Sequence, residues 1–471
     1  MLYVGFGKKN ISQIWEHQLK VADEISLKVC YMRYDKTDSL LVVMDLQGLW
    51  SSTCNNLRKK ISNNFNIPIS SIGIFTTQNH STPYDNGKCF DYDFITKSSF
   101  EAVKDAIENA VEVEIAFLEA QPEKPLVFKR RKYFENMGGF TYWFGYDQTP
   151  RGPILKSLIE KSFGSLLDGN QGQVRSQEQG SEIQDIINEE DYRVFEADDP
   201  MIQGVFFRDI NKKPVGSLLR FGAHPATANK GDNDFTTADY PYYFRTAIEK
   251  EFGGEALFFT GPCGDQCPNI PAKSLELSKE LGHAAANELI KKFGQFEWEP
   301  CNHFLATSPS IELNLKTECF IPTEELEETM NLKKEQFHMM AKGNTPSDEK
   351  LNTLKNLSDE IEIFRVILGN RSSNDIGIPN QASEDTGHQF DLTKIEINNL
   401  IICGIPGEPF GEYANKIRAN VGDRRAFVID EANGYLGYLP TEDEFGTGGY
   451  ECNVALFDED SERIITDAFK I

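Results

Sequence analysis

The sequence predicts an α/β protein with mixed, partly parallel sheet layers, flanking helices and an inserted antiparallel helical hairpin. Strand-like and helix-like segments alternate over the first 120 residues, the rhythm of an α/β layer. Short apolar runs such as EALFFTG (255–261) and LIICGI (400–405) end in loops rich in Gly and Pro. Residues 323–369 carry apolar positions spaced three and four apart in two arms, which is helical spacing.

In chain order, the opening GFGKKNIS reads as a first strand and LLVVMDLQGL (40–49) as another. A polar helix follows near 51–64, then the strand SIGIFTTQNHSTP (71–83), a helix at about 98–111 and the strand VEVEIAFLEA (111–120). The Gly-, Gln- and Ser-rich stretch 168–182 lacks apolar periodicity and reads as a mobile surface loop, with a similar polar stretch at 370–388. A helix is expected from Pro241 to Phe252. Another is expected over 274–293, with Leu277, Leu281 and Ala285 on one face. In the hairpin, Leu326, Met330, Phe337 and Met340 line one arm and Leu354, Leu357, Ile361, Phe364 and Leu368 the other. GNTPSDE (343–349) separates them. A hairpin packed on its own domain is the preferred reading over a partner-binding one. There is no internal repeat.

A charge of −25, from 73 acidic against 48 basic residues, repels nucleic-acid backbones and anionic membranes. Small molecules or cationic partners suit this balance better, although Lys129-Arg130-Arg131-Lys132 runs locally against it. No apolar run is long enough to span a bilayer. The N-terminus lacks the basic start, apolar stretch and cleavage site of a secretory signal. Nine scattered cysteines form no disulfide framework and read as reduced thiols in a cytoplasm.

Seven histidines leave few candidates for a metal site. His224, in AHPAT, and His80, in TTQNHSTP, both follow apolar strands and precede turns; each is a ligand candidate or an ordinary hydrogen-bonded histidine. Glu408 sits between prolines in IPGEPF, where restricted freedom suits a ligand or general base, the plainer reading being a solvated turn. Tyr435, Tyr438 and Tyr450 crowd 433–451 and are ordinarily packing residues with wetted hydroxyls. In TGPCGDQCPN (260–269), Cys263 and Cys267 lack the further paired ligands of a zinc knuckle. Ile270 stands where iron–sulfur chemistry would need a third cysteine. Cys263 reads as filling. Cys267, on a turn ahead of a helix, is either an inert buried thiol or a nucleophile whose pKa is lowered.

Several of these segments together resemble the neutral/alkaline non-lysosomal ceramidase family. LLVVMDLQGL and TTQNHSTP resemble its D-L … T-H-T-H-S-G-P passage, FKRRKY (128–133) its Asn-Arg-Arg segment and FGAHPAT its A-C-H-P passage. TGPCGDQCPN resembles N-x-G-D-V-S-P-N, IPGEPF the P-G-E-F loop and 433–451 the closing Tyr-rich loop, all in the family's order over about residues 3–455. The resemblance implies a zinc ion held by two histidines, a glutamate and a tyrosine, with a water attacking the amide of an N-acyl sphingoid base. It places ligands on His224, Glu408 and Tyr438, the first ligand histidine on Gln78, and the family's active-site serine on Cys267. His80 matches the second histidine of T-H-T-H and is the candidate to take over coordination from Gln78. A neutral amide oxygen is a poor zinc ligand beside an imidazole. Arg130 matches an arginine near the reacting amide, where it binds a carbonyl or carboxylate.

The implied reaction is metal-assisted hydrolysis of a ceramide-like or soluble N-acyl amide. In it, Tyr438 or His80 stabilises the oxyanion or passes a proton. The implied organisation is one catalytic domain over 1–471, with the 323–369 hairpin inside it and without the C-terminal β-domain of ceramide-acting members. Two alternatives stay open: acyl transfer by Cys267 with His80 as base, and a non-catalytic ligand-binding relative.

Overall fold

Strands whose two faces are both apolar must be covered on both sides, and the sequence supplies several. In Ser26–Tyr34 (β2), following Leu2–Asn10 (β1), Leu27, Val29 and Tyr31 point to one core and Cys30 and Met32 to another. The same division runs along Thr37–Met44 (β3), with Leu40, Val42 and Met44 against Leu41 and Val43. The structure, a computed structural model, describes residues 1–14, 20–82, 91–134, 138–141, 196–228, 235–341, 348–373, 378 and 387–471.

Five further strands complete a large sheet: Ile72–Thr76 (β4), Val111–Ala120 (β5), Ile202–Asp209 (β6), Pro214–Phe221 (β7) and Glu255–Thr260 (β8). Their order is β8-β7-β6-β5-β1-β2-β3-β4, with Glu299–Pro300 pairing β5 as a ninth strand. Pairs β3/β4 and β7/β8 are parallel, and the other neighbours on this path are antiparallel. The class is the mixed α/β one that the segment rhythm predicts. Within the first 120 residues, however, only β3/β4 is parallel, because Ser26–Met44 folds as a tight hairpin with Asp35 at φ 53°.

A second sheet, Phe304–Thr307 (β9), Thr393–Ile397 (β10), Leu400–Gly404 (β11) and Arg425–Ile429 (β12), packs its apolar face on the large one. Its β11/β12 pair is parallel. Helices cover the outer faces. Ser51–Phe65 (α1) and Tyr92–Glu108 (α2) lie over β1–β4, and Asp239–Glu251 (α3) and Leu275–Ile290 (α4) over β5–β8. Helix α2 approaches β1 so closely that a Cβ at Gly5 or Gly7 would stand 2.0 Å from the carbonyl oxygen of Ala106 or Ala102. Helices α2 and α3 begin six and two residues ahead of their expected starts.

Thr323–Ala341 (α5) and Asp348–Ser373 (α6) form the expected hairpin. Phe337 packs with Leu354, Leu357 and Ile361 at one end. Leu326, Ile363, Phe364 and Ile367 join the core beneath the second sheet at the other, so the hairpin is anchored on the protein. Helix Glu412–Asn420 (α7) seals that core with Tyr413, Ala414 and Ile417. The stretch 168–182 lies outside the described residues. Of 370–388, the first residues extend α6 and Gly387 already begins a strand. None of the described helices is long and apolar enough to cross a membrane.

Candidate active site

Parallel strand pairs deliver their C-terminal loops to the same edge, where α/β proteins place chemistry. Here the loops after β4, β8 and β12 are tied together. Thr260 Oγ1 donates to the Thr77 carbonyl at 2.8 Å and the Asp430 amide to the Thr260 carbonyl at 3.0 Å. The loop after β7 joins them through the His80 amide, which donates to the Pro225 carbonyl at 2.9 Å. Asn79 fixes the first loop, donating from Nδ2 to the Thr237 carbonyl at 2.7 Å and accepting the Ser81 amide at 2.9 Å.

These anchors bring His80 Nε2 within 2.8 Å of His224 Nε2, and His224 Nε2 lies 3.8 Å from Glu408 Oε2. The other nitrogen of His224, Nδ1, faces the Cys263 carbonyl at 3.5 Å. Burial, with the charges of Arg130 and His80, holds the His224 pKa well below its ordinary value, so the ring is neutral at pH 7. Glu408 lies in a short parallel pairing of Glu408–Pro409 with Tyr438–Leu439. The left-handed Gly407 (φ 79°) sets this pairing. A Cβ on Gly264 would meet the Glu408 carbonyl oxygen at 2.4 Å, so this approach needs glycine. The Tyr435 hydroxyl donates to Glu408 Oε1 at 2.9 Å, while Oε2 is buried without a well-formed hydrogen bond. Burial pushes the Glu408 carboxyl up to about 7, against the lowering effect of Arg130 and the Tyr435 and Tyr438 hydroxyls.

Arg130 lines the same cavity, fully buried. Its Nε pairs with Glu451 at 2.7 Å, and its terminal nitrogens donate to the Gly264 carbonyl at 2.6 Å and the Tyr438 hydroxyl at 3.1 Å. The rest of the basic cluster is neutralised internally: Arg131 by Glu444 and Glu451, Lys129 by Glu444 and Asp198. Three of its four cations are therefore structural pairs rather than an anion-binding stripe; the Lys132 side chain lies outside the described ones. His80, His224, Arg130, Cys267 and Tyr438 line one cavity of about 250 Å³, together with Lys273, Tyr450 and Ile270.

All six residues singled out in the sequence thus meet at one place, and several readings of their surroundings change. Glu408 is 3% exposed, which overturns the solvated-turn reading. Cys267 does not sit at a helix entrance. It lies in Gln266–Pro268, paired with Val127–Lys129, and α4 starts only at Leu275. Burial raises its thiol pKa although Arg130 Nη1 lies 3.6 Å away, so the lowered pKa expected of a nucleophile is not found. His80 turns Nε2 toward His224. Cys263 is more than filling: its Sγ donates to Gln78 Oε1 at 2.9 Å and lies 3.6 Å from His224 Nδ1 and 3.5 Å from Asp430 Oδ2. The Tyr435 and Tyr438 hydroxyls are bound by site residues rather than by water. Sequence reading missed Tyr435, Glu451 and Lys273 as site residues. The first two stand within the Tyr-rich loop already singled out, whereas nothing in NIPAKSLELS marks Lys273.

Donor chemistry is the test for a zinc-type ion. Two neutral-capable imidazole nitrogens, a carboxylate oxygen without a well-formed hydrogen bond and the Tyr438 hydroxyl form a set that zinc accepts. Two nitrogens on one tetrahedral zinc stand about 3.3 Å apart, given Zn–N distances of about 2.0–2.1 Å, so the rings need to open by about half an ångström. Among the described residues no three His, Cys, Asp or Glu side chains are gathered at ligand spacing. Gln78 is turned to Cys263 and takes no part. In donor type, though not in present spacing, His80, His224, Glu408 and Tyr438 are residues that would hold such an ion.

Comparison with protein-family models and with curated proteins finds no sequence match. Comparison with solved structures does. The chain is similar to neutral ceramidase from Pseudomonas aeruginosa, with a TM-score of 0.62 and 14% identity over 99% of this chain and 73% of that one. It is equally similar to a ceramidase complexed with C2, covering 74% of that chain at the same TM-score and identity. The chain therefore has a ceramidase-like fold, with the strand-end loops of that fold gathered around His80, His224, Glu408, Arg130, Cys267 and Tyr438.

Proposed function

We propose that the protein is a metal-assisted hydrolase of a carbon–nitrogen amide bond, acting on a ceramide-like or smaller N-acyl substrate. The observation that carries this reading is the convergence of His80 Nε2, His224 Nε2 and Glu408 Oε2 beside a cavity that His80, His224 and an Arg130-held Tyr438 line. The likeness of fold to ceramidases supports it.

Zinc held by His80, His224, Glu408 and Tyr438 would supply a Lewis acid and a water of near-neutral pKa. Tyr435 fixes one oxygen of Glu408 so that the other points to the histidines. Arg130, itself held by Glu451, fixes the Tyr438 hydroxyl, which is placed to donate to a carbonyl oxygen as it gains negative charge. Cys267 stands as a neutral thiol on the cavity wall, where it contacts the acyl group rather than attacking it. At about 250 Å³, the cavity is smaller than the roughly 300–1,000 Å³ that encloses a drug-sized ligand. It suits the amide end of a substrate or a compact amide whole. A reducing, cytoplasmic setting fits the eight described cysteines, all of them free. We read the chain as one catalytic domain with the hairpin as an insertion.

Gln78 at the first ligand position favours one other reading, a relative that binds its ligand without turnover. A panel of N-acyl amides, including a short-chain ceramide, separates the two. Hydrolysis abolished by chelation and by Glu408→Gln supports the hydrolase, while ligand binding with no turnover in any metal supports the binder.

A further inference from the structure

Among the described residues, the two cations that line the cavity, Arg130 and Lys273, are held differently. Arg130 has a full counter-charge in Glu451, and its donors are committed to Tyr438 and Gly264. Lys273 lines the same cavity, and among the described residues no carboxylate pairs with its ammonium. Its backbone is pinned, because the next residue, Ser274, donates its amide to the Thr227 carbonyl at 2.8 Å and caps α4 by accepting from the Leu277 amide at 3.1 Å. A partly buried cation without a partner is costly. Burial lowers the Lys273 pKa, Cys267 and Asp239 act to raise it, and the charge of Arg130 lowers it further.

We infer that this cavity selects an amide carrying a carboxylate, an N-acyl amino acid in class, whose negative charge is paired by Lys273. The inference deepens the hydrolase reading above and rests on it for the amide, but the charge preference rests on Lys273 alone. A neutral sphingoid amide would leave the ammonium partly buried and, among the described residues, without a carboxylate partner. A carboxylate of the substrate removes that cost and gains a charge-assisted hydrogen bond. The chain's overall charge of −25 repels anions at long range, so the preference is local to the cavity.

The test is calorimetric titration of the full-length protein, at one fixed ionic strength, with N-octanoylglycine and with N-octanoylethanolamine, its neutral counterpart. The acid is expected to bind about tenfold tighter or more. Lys273→Met should remove that preference while leaving the neutral compound within about twofold, and Lys273→Arg should keep it. Equal affinity in the unaltered protein, a preference that survives Lys273→Met, or no binding of the acid at millimolar concentration overturns the inference. Hydrolysis followed in the same samples reports the reaction separately. Acid preference without turnover leaves this inference standing and removes the hydrolase, and turnover of both compounds alike does the reverse.

Discussion

The two walls of the cavity handle burial in opposite ways. On the Arg130 side every charge has a partner. Arg130 and Arg131 share Glu451, Arg131 also meets Glu444, and the Glu451 pKa is lowered because both guanidiniums outweigh its burial. On the His224 side charge is suppressed instead. His224 is held neutral, and burial drives Glu408, Asp430 and Glu431 upward. Asp430 Oδ1 and Glu431 Oε1 are buried without hydrogen-bond partners, whereas Arg130 Nε and Glu451 Oε1, which also form no well-shaped hydrogen bond, meet each other as an ion pair. The first wall is complete as a structure. Under the proposed function, a cation bound at the second would let Glu408 ionise.

Arg130→Ala breaks the complete wall and should have the largest effect. It leaves Glu451 to Arg131 and Thr141 and removes the donor to Tyr438, and losing one partner of a buried pair costs up to about 3–5 kcal/mol; urea unfolding measures it, and a loss below about 1 kcal/mol contradicts the pairing. Gly264→Ala sharpens the contrast by pushing on the other wall. Its Cβ needs Glu408 to retreat, at about 1–3 kcal/mol, and amide turnover should fall more than stability does.

Acid titration compares the walls with an ion pair elsewhere. Asp199, buried against Arg220 and Arg418, has a pKa below its ordinary 3.8. A depressed carboxyl contributes stability above the unfolded value and loses it as pH falls through the folded one. Urea midpoints should therefore drop below about pH 4, and Asp199→Asn should flatten that part of the curve. Tyr435→Phe removes one hydrogen bond to Glu408 and should cost about 1–2 kcal/mol, read as a fall in turnover. Lys333→Ala, at the exposed Lys333–Glu360 pair on the hairpin, should change stability by less than about 0.5 kcal/mol.

Local patterns explain how much of this was legible beforehand. The hairpin was legible because its apolar spacing is helical in both arms; of the candidate site, His80, His224 and Glu408 stand in loops after apolar strands, while Arg130 and Tyr438 were reached only through the family resemblance. The antiparallel return of Ser26–Tyr34 was not, since a strand buried on both faces shows no alternation. Lys273 and Cys263 were also invisible: one is a lysine in an ordinary loop, the other a small thiol whose importance lies in contacts to Gln78 and His224 from a different part of the chain. The lowered pKa that a Cys267 thiolate needs was not legible either way, because it depends on burial, which here outweighs one neighbouring arginine.

Metal content tests the central claim most directly. Protein stripped with chelator, dialysed against zinc and freed of excess is analysed by elemental analysis, beside His224→Ala and Glu408→Gln. The account predicts close to one zinc per chain, reduced by at least about tenfold in occupancy-limiting affinity in each variant. Zinc-free protein, or zinc retained equally by both variants, would contradict it.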